Sequence, residues 1–139
     1  MTPTSERTVL TLTLLEERLA VCRLDAAAGV PAWATAASLF SVTRTTDELS
    51  IVCPEGFVPE GVRCEKGWRA FELGGPFEFS DVGILSAVAT PLAEAGVGIF
   101  AVSTFETDYV LVKEGWLDPA TDALRARGHE VRDLAAKEG

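Results

Sequence analysis

Short apolar runs broken by polar turns fill most of the chain, and only two stretches carry apolar positions at helical spacing. Arg7 to Leu14 and Leu19 to Leu24 are rich in β-branched and aliphatic residues, with the polar Leu15-Glu16-Glu17-Arg18 between them. They read as a hairpin. Ala26 to Ala37 is rich in small residues and interrupted by Gly29 and Pro31, so an irregular connection or one short helix carrying Trp33 is expected there. Ser38 to Thr43 and Glu48 to Cys53 are strand-like and flank the polar Arg44-Thr45-Thr46-Asp47. Pro54, Gly56, Pro59 and Gly61 interrupt the chain after Cys53 and place a boundary in 54–65, dividing it into units 1–65 and 66–139.

The second unit has a clearer pattern. Trp68 to Leu73 alternates as a half-buried strand does and stops at Gly74-Gly75-Pro76. Val82, Ile84, Leu85, Val88, Ala89, Leu92 and Ala93 recur with helical period, with Ser80 or Asp81 as the expected cap and Gly96 as the stop. Pro91 falls inside this helix, where it deletes a hydrogen bond, so a kink or local loosening is expected. Val97 to Ser103 and Tyr109 to Val112 read as strands. Pro119 to Arg127 reads as a helix capped by Asp118, and Glu130 to Leu134 as a weak last strand. The order β-α-β-β-α-β over about 66–135 is the split βαβ, ferredoxin-like arrangement, an α+β class. Val42-Thr43-Arg44-Thr45-Thr46-Asp47 aligns without a gap on Ser103-Thr104-Phe105-Glu106-Thr107-Asp108, each followed by an apolar strand and Glu-Gly-aromatic. Aligning those last triplets takes a two-residue adjustment. The repeat predicts two related units, the first poor in helix.

Composition narrows the function. Of 139 residues, 47% are hydrophobic and 12 basic residues face 21 acidic ones, for a net charge of −9. Disorder is disfavoured by the apolar content. The charge splits as −4 and −5 across 65/66, so neither unit hides a basic face, and binding to nucleic acid is disfavoured. No run is long enough for a membrane span. With no apolar leader in MTPTSERT, a cytoplasmic protein that engages no membrane is expected. Cys22, Cys53 and Cys64 lack a CxxC spacing and sit in or beside apolar segments, as buried structural thiols do. A single histidine, His129, reads as a polar residue at a turn and leaves structural zinc without ligands.

Motifs for nucleophilic, metal or nucleotide chemistry are absent, so a non-enzyme without a cofactor is expected. An acidic pair such as Asp81 with Asp108 is the remaining route to acid–base chemistry. Features suited to a small zwitterion are present. Phe77 to Leu85 carries the chain from a strand into a helix N-terminus, whose unpaired N–H groups suit a carboxylate. Gly83 there permits close backbone approach. The β-α-β-β order brings Ser103 to Asp108 beside that loop, offering Asp108 to a cationic group and Phe105 as an apolar or cation–π wall. Helix capping at Ser80, packing at Gly83 and ordinary turn chemistry at Thr107-Asp108 account for the same residues without a ligand.

The run from Gly83 to Val97 (GILSAVATPLAEAGV), followed by Ser103 to Val112 (STFETDYVLV), resembles the ACT domain family. Within it the resemblance is to the tandem-ACT group of small bacterial proteins and CASTOR arginine sensors. Phe40 to Cys53 resembles the first unit of that group, and the likeness covers about 38–135. It implies ligand sensing at an ACT–ACT interface, with Asp81, Val82, Gly83, Ile84, Thr104, Phe105 and Asp108 at the matching ligand-binding positions. Glu78 departs from the pattern, standing where the arginine sensors have glycine. Two units are half of the four in a CASTOR-type protein, so the resemblance implies a homodimer, an amino-acid ligand and a regulated protein partner. The alternative is an interaction module that dimerises or docks to an enzyme without a ligand.

Overall fold

The structure, a computed structural model, describes residues 9–74 and 83–133. They form eight strands and two α-helices, an α+β chain. In order these are β1 (Thr11–Leu14), β2 (Leu19–Leu24), β3 (Ser41–Arg44), β4 (Leu49–Pro54), β5 (Cys64–Leu73), α1 (Ile84–Glu94), β6 (Phe100–Ser103), β7 (Asp108–Lys113), α2 (Leu117–Ala126) and β8 (Glu130–Asp133). Two compact units result: Glu17–Trp68, and the residues up to Glu16 together with those from Arg69 on.

The unit Glu17–Trp68 has the strand order β3-β4-β2-β5, antiparallel at every pair. A later strand, β4, thus lies between β2 and β3, as in a split βαβ. No α-helix connects them. Gly29 and Pro31 leave room only for the 3-10 turn Ala32–Thr35, and a second 3-10 turn, Glu55–Phe57, comes after β4. Ala20, Cys22, Leu49, Ile51 and Cys53 form this unit's core, with Trp33 packed against it.

The other unit repeats the arrangement with β7 between β5 and β6. Its core joins one sheet face to both helices, through Phe71, Leu73, Val110 and Val112 below Val88, Leu92, Ala120 and Leu124. Leu10, Leu12 and Leu14 belong to the same core. Burial of these leucines draws β1 into this unit, antiparallel to β5 and parallel to β8, so β1 stands between those two strands. The expected division at 65/66 therefore does not describe β1, and β8 pairs with β1.

The expected hairpin of the first two strands does not form. β1 pairs with Phe71, Glu72 and Leu73, while β2 pairs with β4 and with the first half of β5. Residues 15–18 contain neither the glycine nor the asparagine that a tight hairpin turn requires, and Leu15 N–H donates to Ala70 O at 2.9 Å instead.

Helix α1 starts after Gly83, with no side-chain cap, so Ser80 and Asp81 are not its N-cap. It runs through Pro91 to Glu94 without a break, and Gly96 sits just past its cap at φ +79°. Helix α2 begins at Leu117, two residues before the expected start, with Trp116 at the cap position and Asp118 in the first turn. Pro119 still falls in the turn where its missing N–H has no helical partner. The internal repeat also changes register. β3, β4 and the turn 55–57 match β6, β7 and the turn 114–116 at one constant spacing, placing Thr45 on Thr104 without any gap. Both threonine N–H groups close the same kind of turn, to Glu48 O at 2.9 Å and to Thr107 O at 2.8 Å.

Candidate functional site

Strands β6 and β7 meet in a turn held by threonine. Thr104 Oγ1 donates to Thr107 O at 3.0 Å and accepts the Thr107 N–H at 3.2 Å. Phe105, at the tip, is 78% exposed. Asp108 opens β7 opposite Ser103 and is half-buried. Three of the expected positions, Thr104, Phe105 and Asp108, therefore share one turn.

That turn is fastened to the strand that leads toward α1. Thr107 Oγ1 donates to Leu73 O at 2.7 Å, a short and partly buried bond on the last residue of β5. Gly74 comes next, and its N–H donates to Thr11 O at 2.8 Å. A Cβ on Gly74 would lie 2.9 Å from that same oxygen, so only glycine allows the approach. Neither Thr107 nor Gly74 stood out as a site residue in the sequence. The available signals were a threonine four residues from the end of a strand-like run and the Gly-Gly break after Leu73.

Gly83 and Ile84 stand at the head of α1. Gly83 adopts φ +81°, ψ 0°, the left-handed region that other residues occupy at a cost, and its carbonyl accepts the Ala87 N–H at 2.9 Å. This conformation alone accounts for a glycine at 83. Asp81 and Val82, and Glu78 with them, lie outside the described residues.

Charge beside the turn is negative. Tyr109 O–H donates to Glu72 Oε2 at 3.5 Å across β7 and β5. Burial, then the Glu72 carboxylate, then Glu106, push the Tyr109 phenol above its ordinary value.

A hollow of about 440 Å³ lies at the other end of this unit's sheet, lined by Leu14, Glu16, Arg69, Leu117, Asp118, Thr121 and Asp133. Arg69 is anchored in its wall, donating from Nη2 to Leu15 O at 3.0 Å and from Nη1 to Glu114 Oε1 at 3.5 Å. Among the described residues no group of three or more His, Cys, Asp or Glu side chains is arranged to hold a metal, and no helix is long and apolar enough to cross a membrane. Arg125 and Arg127, at the end of α2, bind within the chain, to Val131 O at 2.9 Å and to the Glu94 carboxylate.

Comparison with known proteins bears on the family. The ACT domain model matches residues 63–126, and a model described as an N-terminal domain matches residues 17–61, close to the compact unit Glu17–Trp68. The Homo sapiens cytosolic arginine sensor for mTORC1 subunit 1 is 36% identical over 61 residues, 43% of this chain and 18% of the sensor. The chain thus spans well under a quarter of that relative. A crystal structure of a protein from Agobacterium tumefaciens is 40% identical, covers 91% of this chain and 94% of its own, and superposes with a TM-score of 0.86. The regulatory subunit of aspartate kinase from Thermus thermophilus, at 9% identity, shares the fold alone, with a TM-score of 0.56 over 86% of this chain and 94% of the subunit. With two units of one strand order, the later one covered on one face by two helices, and with these matches, the chain carries an ACT domain over residues 63–126 and resembles the arginine sensors.

Proposed function

We propose that this protein is a non-catalytic regulatory sensor that binds an amino acid, or a similar small molecule with a cationic end, at its later unit. Asp108 receives the cation. Phe105 walls the apolar part. The backbone around Gly83 and Ile84 receives the carboxylate, and Asp81 and Val82 are the other two positions proposed for the site. Thr104 shapes the turn between them. The single observation carrying this reading is the 2.7 Å bond from Thr107 Oγ1 to Leu73 O, which fixes the Asp108 turn to the strand preceding the helix-entry loop. A ligand recognised at both ends needs those two segments held at one distance, and a preset frame lowers the ordering cost of binding.

The likeness to an arginine sensor supports an amino-acid ligand, while Glu78 argues for a choice other than free arginine. The 78% exposure of Phe105 supports a site completed by a second copy of the chain, in a homodimer with two equivalent interfaces. A thermal-shift screen of the purified chain against the twenty amino acids and simple polyamines tests the reading. At a hundredfold excess over Kd a true ligand adds about 2.7 kcal/mol, and the midpoint rises by about 8 °C. A flat response across the panel replaces the sensor with a docking module.

A further inference from the structure

The unit Glu17–Trp68 gathers the three cysteines of the chain on one face of its sheet, and their register sorts them. Cys22 on β2 and Cys64 on β5 are directly opposite each other, and Cys53 on β4 is opposite Ala20. All three thiols are free, with Cys22 and Cys53 in the core and Cys64 half-buried at its margin.

The two candidate partners of Cys22 differ in reach. Arg23 N–H donates to Arg63 O at 3.0 Å, so 23 and 63 form a hydrogen-bonded pair and the adjacent 22 and 64 a non-hydrogen-bonded one. In such pairs the Cα atoms stand about 4.5 Å apart, inside the range a disulfide spans. Cys53 is diagonal to Cys22, about 7–8 Å away, at or beyond that range. Cys53 and Cys64 are two strands apart, about 10 Å.

We propose that Cys22 and Cys64 are an oxidation site, a thiol pair that a peroxide converts into a cross-strand disulfide joining β2 to β5. The half-buried Cys64 meets the oxidant first. Its thiolate sulfur attacks one peroxide oxygen, the O–O bond breaks, and the leaving oxygen departs as water or alcohol, leaving Cys64 as a sulfenic acid. The Cys22 sulfur then attacks the Cys64 sulfur, the S–O bond breaks, and the hydroxide leaves as water with the Cys22 proton. The two thiols give up two electrons in all, and the peroxide accepts them. Burial, then the nearby Cys53 and Cys64, push the Cys22 thiol up to about 12, so Cys22 stays protonated and is not the thiol that meets the peroxide first. The bond closes a long loop in a unit that has no α-helix to brace it, where a crosslink restricts the unfolded chain most.

The test is hydrogen peroxide added to the full-length chain, followed by alkylation, trypsin and mass spectrometry. Trypsin separates the cysteines into residues 19–23, 45–63 and 64–66. The expected product is 19–23 linked to 64–66, two hydrogens lighter than the sum and released by reductant, with the thermal midpoint of the oxidised chain raised by roughly 5–10 °C. C53A keeps the link. C22A leaves a sulfenic acid on Cys64 that a 1,3-diketone traps. A link from 45–63, a bond only between two chains, or Cys64 oxidised to sulfinic acid in the wild-type chain with no link to Cys22 overturns the proposal.

Discussion

His129 Nε2–H donates to Ala87 O at 2.9 Å, and Ala87 is the residue whose carbonyl Pro91, four positions on, cannot serve. The histidine tautomer is fixed from its other side, where Nδ1 accepts the Leu10 N–H at 3.1 Å. One buried ring thus fills the gap that proline leaves in α1 and ties it to the chain entering β1. Because His129 supplies the missing donor, α1 passes through Pro91 intact.

Loss of that ring leaves the Ala87 carbonyl and the Leu10 amide unpaired in the core. His129→Ala is expected to cost about 2–4 kcal/mol in urea unfolding. In a Pro91→Ala background the alanine amide serves Ala87, so the same substitution is expected to cost about 1 kcal/mol less. Additive losses across this double-mutant cycle contradict the account.

Gly74 is held against Thr11 by contact and not by backbone torsion. Gly74→Ala is expected to destabilise the chain by about 1–3 kcal/mol, since its Cβ meets a carbonyl oxygen at 2.9 Å. Gly29→Ala, with nothing within 4 Å, is the control and is expected to stay within about 0.5 kcal/mol of wild type. Chemical denaturation of both variants decides.

Tyr109 is the one tyrosine of the chain, so the ultraviolet absorbance of tyrosinate reports it alone. Its phenol titrates above the ordinary value of 10, and Glu72→Gln is expected to bring it down. A group raised on folding contributes stability that is complete below its unfolded pKa and is lost as pH rises through the folded value. The Tyr109 contribution is therefore present at neutral pH and fades above pH 10. A titration midpoint at or below 10 in the native chain contradicts this.

Thr107→Val keeps the shape of the turn residue and removes the hydroxyl that reaches Leu73. The expected loss is about 1 kcal/mol of stability and a larger, several-fold weakening of ligand binding, because the turn that carries Asp108 is released from β5. Equal losses in both, read by denaturation and calorimetry, give Thr107 a structural role only.

Local patterns in the sequence carried much of this fold. The strand-like runs before and after Thr45 and Thr104, the apolar stripe from Ile84 to Leu92 and the Gly96 stop each mark an element directly, because periodicity and turn chemistry are local. Pairing is not local. The run ending at Leu14 reads as a strand, yet its place between β5 and β8 depends on Leu10, Leu12 and Leu14 reaching a core built far along the chain. The repeat was visible in Glu55-Gly56-Phe57 and Glu114-Gly115-Trp116, but its register was set by which threonine closes each turn. At the candidate site, Thr104, Phe105 and Asp108 were legible as one turn. The Thr107 bond to Leu73 was not, since nothing in a hairpin sequence says which carbonyl lies beneath it.

Isothermal titration of the full-length chain with the amino acid that raises its melting point, repeated on Asp108→Ala, tests the sensor reading most directly. Removing a charge-assisted partner is expected to weaken binding by about 1.5–3 kcal/mol, at least a tenfold loss, with the unfolding midpoint of the free variant close to wild type. Unchanged affinity in a folded Asp108→Ala chain, or no heat with any amino acid in the wild type, contradicts it.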